Sequence, residues 1–99
     1  MNKEGEIDMR QDNEAMLHTL KLNIKYECPI KYGYKRFEVR KNDRDFQVGD
    51  IIEFIGVDDN GNILGTTLPY YQITYILKDF PQGLKKGYVV LGIEEDDTI

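Results

Sequence analysis

A single cysteine, Cys28, a single histidine, His18, and no tryptophan among 99 residues narrow the chemistry before any pattern is read. One thiol closes no internal disulfide. One thiol with one imidazole also falls short of the Cys/His set that a structural zinc needs, so no metal and no cofactor is expected. No apolar run approaches the roughly 20 residues that cross a bilayer. The opening stretch MNKEGEIDMRQDNEAM is acidic, where a secretory signal is basic and then apolar. These absences predict a soluble, cytoplasmic protein with no membrane partner, and the chain is expected to be a monomer. The glycines form no phosphate-loop pattern, and no Ser-His-Asp or Cys-His order stands out for covalent catalysis.

What the chain does contain is charge, unevenly spread. Its formal net charge is −5, yet residues 1–16 hold two bases against five acids, and the segment 94–99, EEDDTI, adds four more acids. Residues 21–44 carry eight bases (Lys21, Lys25, Lys31, Lys35, Arg36, Arg40, Lys41, Arg44) against three acids (Glu27, Glu38, Asp43). The acidity sits at the ends and a basic patch sits between, which points to an anionic partner. At this length, with 40% apolar residues, there is material for one core and not for two. The reading is one domain over 17–93, a flexible acidic arm over 1–16 and an acidic tail over 94–99.

The local pattern is mainly β. LHTLKL (17–22) alternates, with His18, Leu20 and Leu22 on one face, as a half-buried strand does. Asn23 can cap a short helix over the following residues, but Pro29 falls inside it and predicts a kinked or restarted helix that Gly33 ends. YKRFEVR (34–40) is expected as a strand with Phe37 and Val39 inward and with Arg36, Glu38 and Arg40 on the other face. DIIEFIGV (50–57) follows the tight turn at Gly49. DDNGN (58–62) is a hairpin signal that predicts an antiparallel return over ILGTTL (63–68). YQITYIL (71–77) and GYVVLGI (87–93) complete five to six strands, the last apolar enough to suit a central strand buried on both faces. Short strands punctuated by Gly and Pro favour a small β-barrel with one short helix, closed or nearly so.

GYKRFEVRKNDRDFQVGD and ITYILKDFPQGLKKGYVVLGI together resemble the small bacterial and phage DUF3850 proteins, of the ASCH group in the PUA-like superfamily. The resemblance rests on Gly33, Lys35, Glu38 and Arg40 in a Gly-x-Lys-x-x-Glu-x-Arg pattern, on Asn42, Asp43 and Arg44, and on the Gly-Tyr-Val-Val-Leu-Gly ending. It implies a PUA-like barrel with a cleft beside the strand of Glu38 and Arg40, and a role in binding RNA or nucleotides. The chain departs from the family pattern at Ile24–Glu27, where a proline and an aromatic pair are usual, and at Gly56–Val57 and Ile63–Thr66, where an acidic residue, Trp and Tyr-Thr-Gly-Arg are usual.

Glu38 and Arg40, two apart on one strand, leave the same face about 7 Å apart, close enough for one ligand or for each other. Lys35, in the turn before, offers a point charge; Arg40 and Arg44 offer paired donors for phosphate. A binding cleft of Lys35, Glu38, Arg40 and the loop Asn42, Asp43 and Arg44 is therefore expected. There Glu38 would accept from a base amino group, and Tyr34, in the turn before the strand, would stack on a base. His18 is a secondary candidate, since a lone histidine beside Leu20 and Leu22 is more often a satisfied core residue. The competing readings are an amidohydrolase acting on an acylated nucleoside such as N4-acetylcytidine, with Lys35 and Glu38 as the catalytic pair, and a protein-interaction module with no small ligand.

Overall fold

A computed structural model describes residues 15–98. Its elements are β1 (Leu17–Asn23), a 3₁₀ turn (Ile24–Tyr26), α1 (Glu27–Lys31), β2 (Phe37–Lys41), β3 (Ile51–Val57), β4 (Tyr71–Leu77) and β5 (Tyr88–Glu95). The five strands form one sheet in the order β1-β3-β4-β5-β2, with β1 parallel to β3 and the other pairings antiparallel. With the short helix this makes a curled half-barrel, mainly β as the sequence predicts. The flexible arm expected over 1–16 lies outside the described residues except for Ala15 and Met16. The backbone of Met16 joins the fold, its N–H donating to Asp50 Oδ1 (3.1 Å) and its carbonyl accepting from Ile51 N (2.9 Å). β5 continues through Glu94 and Glu95, where the sequence places the start of the tail.

The core lies on the concave face. His18, Leu20 and Leu22 of β1, Ile52 and Phe54 of β3, Tyr71 and Ile73 of β4, and Val89, Leu91 and Ile93 of β5 all turn into it, and Ile30 of α1 and Phe46 are buried with them. Each strand contributes every second residue, the period of the pleat. Pro29 sits in the first turn of α1, where a missing N–H would have no helical partner in any case, so the helix tolerates it. Asn23 Oδ1 accepts from Lys25 N (3.0 Å) at the entry, and Gly33, at φ 79°, turns the chain out of the helix.

Three expectations need correction. The return strand over 63–68 does not form: Ile63 makes one bridge to Val57, and the chain then folds back across the end of β3, with Leu64 N donating to Gly56 O (2.8 Å). Gly56 permits this, because a Cβ there would run into the carbonyl oxygen of Gly65. The second correction concerns β5, which is buried on one face and only half-buried on the other. Its outer residue Val90 pairs with Val39, on a convex face that the five-residue helix does not cover.

The third correction bears on the site. Phe37 and Val39 point outward and are exposed, while Glu38 turns inward and is 3% exposed, with Arg40 on the same inner side. The reason lies in how the half-barrel closes. β1 and β2 are the free edges of the sheet, and backbone ladders do not join them. Instead Arg40 Nη2 donates to the Lys21 carbonyl (2.9 Å) and Arg44 Nη1 to the Thr19 carbonyl (2.7 Å), so guanidinium groups take the place of a missing strand partner along β1. An edge strand facing such a seam needs donors on its inner side, and that requirement outweighs the usual preference for Phe and Val inside.

Candidate functional site

The turn after α1 and the inner face of β2 assemble the central cluster. Gly33 reverses the chain, and Pro29 O accepts from both Tyr34 N and Lys35 N (2.9 Å each), which pins Lys35 over the start of β2. Lys35 Nζ donates to the Phe37 carbonyl (2.7 Å) and to Glu38 Oε2. Arg40 approaches Glu38 Oε1 from the other side through Nε (3.0 Å) and Nη2 (2.7 Å). One buried carboxylate is thus held between two cations, leaving the cluster one positive charge in excess. Charge-assisted bonds of this kind are short and directional, and they fix both cationic side chains.

A cleft of about 520 Å³ opens at this cluster, along the seam between β1 and β2. Lys21, Leu22 and Asn23 form its β1 side, Phe37 to Arg40 its β2 side, and Tyr26 with Lys35 one end. The Lys35 ammonium lies 5.1 Å from the ring centre of Tyr26 and 4.9 Å from that of Phe37, close enough for cation–π attraction. Both rings remain open to solvent, at 40% and 45% exposed. The cleft therefore offers cationic donors at its floor and aromatic surface at its rim. Its volume falls in the range of small-ligand sites, about 300–1,000 Å³.

The other predicted residues lie elsewhere or work differently. Arg44 holds the seam through Thr19. Asn42 Oδ1 caps the loop by accepting from Phe46 N (3.1 Å), and its N–H donates to Gly87 O (2.8 Å). Asp43 is exposed, 3.9 Å from Arg44. Tyr34 is 88% exposed and does not line the cleft; Tyr26 and Phe37 supply its aromatic surface. The signal for Tyr26 was present in the sequence, as an aromatic at the end of the Asn23-capped turn, but only the fold brings that turn against β2. Lys21 enters the cleft in the same way, through the seam.

His18 is part of the core. Its Nε2 lies 2.7 Å from Oδ2 of Asp50, which is wholly buried, and its ring meets Phe46 edge to face at 4.8 Å. Asp50 also accepts from Met16 N and from Gln47 N (3.1 Å each), so the pair ties β1 to the turn that begins β3. Elsewhere, burial and the negative charge of Glu95 push the Tyr71 phenol above its ordinary pKa. Hydrogen bonds from Asn62 and from neighbouring backbone amides lower that of Asp58 in the β3 turn. Among the described residues no group of three or more His, Cys, Asp or Glu side chains is placed to hold a metal ion, and no helix is long and apolar enough to cross a membrane.

Fold and cleft together define a small half-barrel protein with a basic, aromatic-rimmed pocket at its side-chain-sealed seam. The family model of a domain of unknown function, DUF3850, matches residues 17–93, from the first residue of β1 into β5, and the chain belongs to that family. No curated protein matches the sequence.

Proposed function

We propose that the seam cleft binds a nucleotide or a short segment of RNA, and that the protein is a cytoplasmic nucleic-acid-binding module of the PUA-like, ASCH type. The observation that carries this is the unspent donor capacity beside the buried carboxylate. Arg40 uses Nε and Nη2 on Glu38 and Lys21, and its Nη1 has no partner among the described residues. Lys35 spends two of its three N–H groups on Phe37 O and Glu38. A phosphate can take what remains from both, while Tyr26 and Phe37 offer faces for a base. Glu38 then serves as the anchor that orients the two cations, in place of the base-reading role expected from the sequence. The lone thiol of Cys28 suits a reducing compartment.

Titrating the labelled protein with uridine and adenosine monophosphates and with short RNA at low salt should shift the amide signals of residues 35–41, and salt should reverse the shift. No change in that segment would sink the proposal. The contact of Lys35 with Glu38 also favours a second reading, hydrolysis of an acylated nucleoside, since an amine beside a carboxylate can deliver a proton or activate water. Release of cytidine from N4-acetylcytidine, abolished in Lys35→Ala, would establish it in place of simple binding.

A further inference from the structure

A second groove, at the start of the neighbouring strand β5, also combines lysines with aromatic rings. It occupies about 480 Å³ under the loop that joins β4 to β5, with Phe80, Leu84 and Tyr88 as walls and Lys78, Lys85 and Lys86 around it. Asp79 is the one acid there, so the groove carries an excess of two positive charges. Phe80 is 41% exposed, although its ring packs so closely on Gly83 that a Cβ at that position would meet it at 3.1 Å. Asp79 sits in the left-handed region at φ 56°, a conformation disfavoured for a side-chain-bearing residue, and the Phe80 carbonyl accepts from Gly83 N (3.1 Å) and Leu84 N (2.7 Å). A fixed, solvent-facing ring among lysines is the arrangement that stacks a base while its phosphates are neutralised.

The sheet sets the groove beside the strand that carries Arg40, although groove and cleft share no lining residue. Val89 and Tyr88, which line it, pair directly with Arg40 and Lys41 of β2, and Asn42 N–H donates to Gly87 O at its edge (2.8 Å). Paired residues on neighbouring antiparallel strands lie about 5 Å apart. No acidic side chain lines the groove on its β2 side. We infer that one nucleic-acid single strand runs from the seam cleft past Arg40 into the groove, placing one base against Phe80 and its flanking phosphates against Lys85 and Lys86. This rests on the nucleotide-binding reading of the seam cleft and extends it from a one-nucleotide pocket to a strand path.

Binding of uridine monophosphate and of oligouridylates of increasing length, up to about eight nucleotides, tests the path. Affinity should rise by about tenfold or more once the strand reaches the groove, the gain one stacked base and two phosphates supply. Phe80→Ala should remove most of that gain while the shifts that uridine monophosphate causes at residues 35–41 persist. Lys85→Gln with Lys86→Gln should lower the slope of log affinity against log salt by about 1.4 for the long oligomer, at about 0.7 per phosphate. Affinity that does not grow with length, or a gain that survives both variants, would overturn the path and leave the seam cleft standing. A gain matched by an oligoglutamate of equal charge would reduce it to bulk electrostatics and overturn it as well. Failure of every uridylate to bind at low salt would remove the nucleotide reading itself.

Discussion

Arg40 joins Glu38 to the opposite edge of the sheet: a single nitrogen, Nη2, lies 2.7 Å from Glu38 Oε1 and 2.9 Å from the Lys21 carbonyl. The bases gathered at residues 35–44 of an acidic chain are therefore not a plain solvated face. Arg40 and Arg44 close the half-barrel, and Lys35 and the same Arg40 hold a buried carboxylate. Any ligand at Arg40 meets a side chain whose position is already set, which lowers the ordering cost of binding.

Removing the carboxylate should expose this dependence. Glu38→Ala leaves Lys35 and Arg40 facing each other without their counter-charge and empties a buried position, so it should destabilise the fold by about 2 kcal/mol; the partial exposure of both cations keeps the loss below that of a fully buried pair. Glu38→Gln keeps the shape and should cost about half as much. Urea denaturation of the three proteins decides it, and equal stability throughout would show that the cluster contributes nothing to folding.

The buried pair of His18 and Asp50 predicts a larger structural effect with no functional one. Asp50→Ala strips acceptors from His18 and from the Met16 and Gln47 amides at once and should cost about 3 kcal/mol. His18→Asn should cost less and leave nucleotide titrations unchanged. A His18 variant that folds normally but loses binding would return this residue to the site.

Tyr71 predicts the opposite sign. Its hydroxyl is buried with no hydrogen-bond partner among the described residues, so the folded state keeps its desolvation cost without compensation. Tyr71→Phe removes the hydroxyl and preserves the ring contact with Phe54, at 5.7 Å. The variant should be unchanged or more stable by up to about 1 kcal/mol in thermal or chemical unfolding; a clear loss would reveal a hydrogen bond made by that hydroxyl in solution.

Asp58 supplies a pH dependence with a definite sign. Its carboxylate accepts from the backbone of Asn60 and Asn62 and from the Asn62 side chain, which lowers its pKa below the ordinary 3.8. A group with a depressed folded-state pKa contributes stability above its unfolded value and loses it as pH falls through the folded one. The stability gap between the wild type and Asp58→Ala should therefore be full above about pH 5 and close as pH drops below 3.8. A gap independent of pH would assign the effect to the neutral turn alone.

Much of this fold is legible in the sequence because alternation and turn chemistry are local. His18, Leu20 and Leu22 declare an inward face, and Gly33, Gly49 and Gly61 adopt the positive φ that their turns require. What alternation cannot say is which of two faces turns inward when both carry plausible residues. For β2 the apolar pair Phe37 and Val39 lost the interior to Glu38 and Arg40, because the free edge of β1 demanded donors, and that demand comes from residues about twenty positions away in sequence. The missing strand over 63–68 has a similar cause: the contact of Gly65 with Gly56 is tertiary. Of the candidate site, Lys35, Glu38 and Arg40 come together; Tyr26 and Lys21 join them only once the seam forms.

The seam makes Arg40 the position where stability and binding separate most informatively. Lys41, its neighbour, is exposed on the outer face of β2, so it feels the same long-range field and touches neither the cleft nor Glu38. Arg40→Ala should weaken nucleotide or RNA binding by about 1 to 3 kcal/mol and flatten the salt dependence by about one phosphate, whereas Lys41→Ala should change affinity by less than about 0.5 kcal/mol. Arg40→Lys restores the charge without the fork that reaches Glu38 and Lys21 together, and should recover only part of the loss. Isothermal titration of the three variants at two salt concentrations distinguishes the cases. Equal weakening by Arg40→Ala and Lys41→Ala would mean that the patch attracts anions diffusely, with no directed contact at the seam.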